Sequence, residues 1–90
     1  MSSILVLITL ADDGIAQIRA NPELPKKEME FINQWKQEGI LENFFIATSK
    51  KDAVLIFKDV DEQKVKGLIE ILPYFPYMQK IDYHILDKQF

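Results

Sequence analysis

The sequence predicts an α+β domain, a four-stranded antiparallel sheet carrying two helices on one face. Three observations predict it. Short β-branched and aromatic runs are interspersed with two segments of helical apolar spacing. Turn or capping residues separate them. The resulting order is strand, helix, strand, strand, helix, strand.

Strand 1 is Ile4 to Leu10, followed by the turn signal Asp12-Asp13-Gly14. The run lacks the basic flank and small-residue cleavage site of a signal peptide, so it reads as a strand. Ile15 to Glu23 reads as either one helical turn or a loop, because Asn21-Pro22 interrupts the spacing of Ile15 and Ile18. Pro25 to Glu38 reads as a helix: proline suits its first turn, Met29, Ile32 and Trp35 form a stripe with Phe31 beside it, and Gly39 suits the end. Leu41 to Thr48 and Ala53 to Phe57 read as strands 2 and 3, a hairpin turning at Lys50-Lys51-Asp52. A second helix starts at an Asp59 or Asp61 cap and runs to about Leu72, with Val65, Leu68, Ile69 and Leu72 as its stripe and Pro73 as its stop. Strand 4 is Met78 to Leu86. It places Ile81, Tyr83 and Ile85 on one face and Lys80, Asp82 and His84 on the other.

This order is the ferredoxin-like βαββαβ arrangement, in which both helices cover one face of the sheet. The other face should then alternate with polar residues. It does not: Leu5 and Leu7 back the apolar series Ile4, Val6, Ile8 and Leu10, and Ala53 to Phe57 is apolar throughout. The segment after Leu86 is too short to cover the open face. The expected cover is a second copy, giving a homodimeric α+β barrel.

Ninety residues suit one core rather than two, so 1–90 reads as a single domain. A net charge of −3 with interspersed signs leaves no basic stripe, which argues against nucleic acid. No apolar run reaches spanning length, so no membrane segment is expected. The absence of cysteine excludes disulfides, thiolate catalysis and Cys-based zinc sites, and leans toward a cytoplasmic location. With one histidine, no transition-metal cluster is visible.

The run Leu72-Pro73-Tyr74-Phe75-Pro76-Tyr77-Met78 resembles the muconolactone isomerase family, whose members carry a similar Leu-Pro-x-Phe-Pro-Tyr-Met element before the last strand. Glu38-Gly39 and Phe57-Lys58-Asp59-Val60 also look like that family. The resemblance spans nearly the whole chain. It implies a dimeric α+β barrel, assembled into a decamer in the isomerases, and catalysis without metal or organic cofactor. The implied reaction shifts a double bond in a small anionic lactone by proton transfer. The isomerases carry a histidine between strands 2 and 3. This chain has Thr48-Ser49-Lys50-Lys51-Asp52 there, so no catalytic residue carries over at that turn.

The candidate acid or base is His84, the lone histidine, although an ordinary strand residue at the sheet or dimer interface is the favoured reading of it. Trp35, Tyr74 and Tyr77 are candidate substrate-binding walls, against a reading of Trp35 as core; Tyr83 reads as packing. Glu28, Glu30 and Glu42 are candidate bases whose ordinary fate is solvation, and Lys26-Lys27 reads as a solvated helix start. Gly14 belongs to no phosphate loop, and Ser2, Ser3 and Ser49 lack a nucleophile-elbow context. Two other functions fit the same fold: a non-catalytic barrel that binds a small molecule or a partner, and a cofactor-independent monooxygenase.

Overall fold

The computed structural model describes residues 2–90. β1 (Ser2–Leu10) sits inside the sheet and is hydrogen-bonded on both sides. The sheet order is β2-β3-β1-β4, with β2 (Leu41–Ile46), β3 (Asp52–Lys58) and β4 (Met78–Asp87), and every neighbouring pair is antiparallel. The expected α+β, ferredoxin-like sheet is present.

The crossover from β1 to β2 holds two helices, α1 (Asp12–Ala20) and α2 (Glu23–Gln37), and α3 (Glu62–Glu70) joins β3 to β4. Among the described residues there are thus three α-helices instead of two. The segment read as a turn at Asp12-Asp13-Gly14 is the first turn of α1. Two acidic residues beside helix N-terminal amides are favourable there, so the same residues serve helix or turn. Gly14 is in the helix for a steric reason. A Cβ at this position would lie 2.8 Å from Tyr77 Cβ and 3.0 Å from the Tyr77 carbonyl oxygen. Glycine therefore lets α1 rest on the 3-10 turn Phe75–Tyr77, and the Ala11 N–H donates to the Tyr77 carbonyl at 2.9 Å. At α3, Asp61 is the cap: its Oδ1 accepts from the Lys64 N–H at 2.7 Å.

The core lies between the helices and one sheet face. Ile4, Val6 and Ile8 of β1 and Leu55 and Phe57 of β3 meet Ile32 and Trp35 of α2 and Val65 and Ile69 of α3, all buried. The Trp35 ring packs on Phe57 with centroids 5.7 Å apart and planes at 57°. On the opposite face the register aligns Leu5 with Ile56, and Leu7 with Val54, which in turn faces Phe45. Phe45 is 55% exposed and Leu7 38%. An apolar strip therefore runs across the open face. Among the described residues no helix is long and apolar enough to cross a membrane.

Gly14→Ala should lower the urea unfolding free energy. Overpacking against Tyr77 costs about 1–3 kcal/mol. The helix-propensity gain of alanine returns only about 1 kcal/mol. An unchanged midpoint would show that α1 is not held by this close approach.

Candidate functional site

The helix face is not filled evenly. In the register across the sheet, Ile46, Ala53, Ile8 and Ile81 form one row. Alanine in that row leaves space under α1 and the first half of α2. A β-bulge at the end of β1 pairs Leu10 with Met78, skipping Gln79, and turns both side chains toward the same space. The result is a cavity of about 380 Å³, enclosed by α1, α2, the sheet and the connector before β4. Its size lies within the usual range of small-molecule sites, about 300–1,000 Å³. Its walls are mostly aliphatic, with Phe44 the aromatic contribution of β2.

One carboxylate enters this apolar space. Glu28 belongs to the inward stripe of α2, at i−4 from Ile32 and i−7 from Trp35, and is only 8% exposed. The Tyr74 N–H donates to its Oε1 at 3.0 Å. That amide is presented by the proline-flanked connector, where the Phe75 N–H donates to the Leu72 carbonyl and the Tyr77 N–H to the Tyr74 carbonyl, both at 2.9 Å. Burial pushes the Glu28 carboxyl from its ordinary 4.5 up to about 7, and the Tyr74 hydrogen bond opposes part of that rise. Burial and the Glu28 charge together raise the Tyr74 phenol, so it keeps its proton at neutral pH. The cavity thus holds a carboxyl that exchanges a proton near neutrality, and the lining residue Tyr74 carries a phenol that stays protonated.

The sequence-derived candidates are not brought together. Tyr74 lines the cavity. Trp35 is 2% exposed and belongs to the core, away from the cavity wall. Tyr77 supports α1 from behind and does not line the cavity. His84 pairs with Leu5 and stands exposed on the open sheet face, so the sheet separates it from Glu28. The ionisable side chain buried at this cavity is Glu28, not His84. The reading of Glu28 as solvated is corrected by its helical register, a signal present in the sequence. Lys26 and Lys27 are exposed and off the cavity, whose cationic rim is Arg19, Lys50 and Lys51. Among the described residues no group of three His, Asp or Glu side chains is placed to hold a metal ion.

No family model matches the chain, and no curated protein matches it. Among solved structures it is similar to the hypothetical protein PHS023 from Pyrococcus horikoshii, with a TM-score of 0.52 at 13% identity over 99% of this chain and 93% of that one. The likeness supports the fold.

Burial of Glu28 gives a pH signature. Its folded pKa is above the unfolded one, so its contribution is most favourable below about pH 4.5 and is lost as pH rises toward 7. Glu28→Gln keeps an acceptor for Tyr74 and has no such dependence. Its stability relative to wild type should rise between those pH values, by up to about 3 kcal/mol. Urea titrations of both proteins at pH 5 and pH 8 read this difference; a constant difference would mean the carboxyl titrates normally.

Proposed function

We propose that this protein is a cofactor-free proton-transfer catalyst of the muconolactone isomerase type, moving a C=C bond in a small unsaturated lactone. The observation that carries the reading is Glu28: a buried carboxyl with a pKa of about 7 in an apolar, ligand-sized cavity. Such a group is matched to abstracting a proton at neutral pH. Glu28 takes the proton from the carbon next to the unsaturated ester. The electron pair of the broken C–H bond moves into the carbonyl as an enolate, and the Tyr74 hydroxyl is the donor available to stabilise that oxygen. The protonated Glu28 then returns the proton at the far end of the conjugated system, completing the shift with no net change in atoms or oxidation state.

A second reading is favoured by the β2–β3 turn, which gives the cavity Lys50, Lys51 and Asp52 where the isomerases carry histidine. On that reading the barrel binds a small molecule without turnover, and Glu28 only secures Tyr74. Muconolactone turnover, followed by ultraviolet absorbance, separates the two. On the catalytic reading, Glu28→Gln lowers kcat/KM by about 10²–10⁴. Wild-type kcat/KM rises with pH to a plateau above about 7, and His84→Ala retains activity. No turnover by the wild type ends the isomerase reading.

The open sheet face supports a homodimer: Leu5, Leu7, Val54, Ile56 and Phe45 form an apolar strip with no cover from the described residues. A two-fold pairing of this face with itself buries the strip. Sedimentation at micromolar concentration should show a dimer for wild type and a monomer for Leu7→Lys. A stable wild-type monomer would refute the pairing.

A further inference from the structure

Lys50 is an unexpected residue at the cavity rim. Its backbone lies at φ 67°, in the left-handed region that glycine adopts freely and lysine does not. The turn has no need of its side chain. The bonds that shape it run from the Lys50 N–H to the Ala47 carbonyl, 2.8 Å, and from the Ala47 N–H to the Asp52 carbonyl, 2.9 Å. Glycine would make both without strain. What lysine adds is a cationic side chain on a residue that lines the cavity. Arg19 brings a second cation to the same cavity from the last turn of α1. Both side chains are exposed, which places them at the mouth, whereas Glu28 is buried.

The other rim charges are engaged. Lys51 Nζ pairs with Asp12 at 3.0 Å, and Asp52 accepts from the Thr9 hydroxyl at 2.8 Å. Among the described residues, Lys50 and Arg19 take part in no ion pair. We infer that Lys50 and Arg19 form an anion subsite at the cavity mouth, and that the ligand is a carboxylate whose apolar ring or chain fills the cavity. The carboxylate stays at the wet rim, the apolar body takes the aliphatic space, and the far end meets Glu28. This inference rests on the cavity being the ligand site, as proposed above, and not on chemistry at Glu28.

Calorimetric titration with naphthalene-1-acetate and naphthalene-1-acetamide compares one apolar body with and without the charge, and amide shifts at Glu28 and Lys50 locate the binding. Wild type should bind the acetate about tenfold more tightly than the amide, the order expected of a charge-assisted contact. Lys50→Gly should lose that preference, keep its affinity for the amide, and melt several degrees higher because the turn is relieved of strain. The higher melting point removes unfolding as an explanation. Arg19→Gln should weaken acetate binding in the same direction. Equal wild-type affinity for acetate and amide, an unchanged ratio in Lys50→Gly, or binding of neither compound overturns the subsite. A wild type that prefers the acetate yet turns over no lactone supports the subsite while defeating proton transfer.

Discussion

The constraint on which the rest depends is that β1 must serve two surfaces at once. Its even-numbered residues Ile4, Val6 and Ile8 are buried under the helices, and its odd-numbered Leu5 and Leu7 occupy the middle of the open face. Side chains alternate strictly along a strand, so neither set can change without keeping the other in register. β3 repeats the pattern with Leu55 and Phe57 inward and Val54 and Ile56 outward. The core and the apolar strip are therefore two sides of the same two strands.

The helix side is divided in turn. At one end, Trp35, Phe57, Val65 and Ile69 pack to near-complete burial. At the other, the small Ala53 and the bulge at Gln79 leave a cavity, and α1 closes it with an approach that only glycine permits at residue 14. Stability is concentrated where α2 and α3 cross the sheet, and space is kept where α1 does. Placing Glu28 in that space weakens the fold at neutral pH, a cost that a purely structural residue at an inward helical position would not carry. Sites that do chemistry tend to depart from optimal packing in this way.

The strands, α2 and α3 were legible in the sequence because each rests on local spacing, and the cap of α3 was narrowed to Asp59 or Asp61, of which the structure uses Asp61. α1 was not. Asp-Asp-Gly is compatible with a turn or a helix start, and Tyr77, the residue that decides it, lies in another element. The candidate site was legible only in part. Tyr74 lines the cavity, but Trp35 and Tyr77 lie behind its walls, and His84 was assigned to the correct face of β4 with no means of seeing that Glu28 lies across the sheet. Glu28 was written in the helix register beside Ile32 and Trp35, yet solvation is the common fate of glutamate and masked that position. The cavity itself comes from a row of residues contributed by four strands, a relation that spacing along the chain does not express.

The sheet order also bears on how the chain matures. β1 is made first, but its partners are β3 and β4, and the register joins Ser2 to Asp87. An apolar strand with two faces therefore leaves the ribosome well before either neighbour has been synthesised. Contacts so distant in sequence slow folding and prolong exposure of such surfaces. The arrangement that sets β1 between two strands at the end leaves it without either at the beginning, and so extends the hazard of aggregation to synthesis itself.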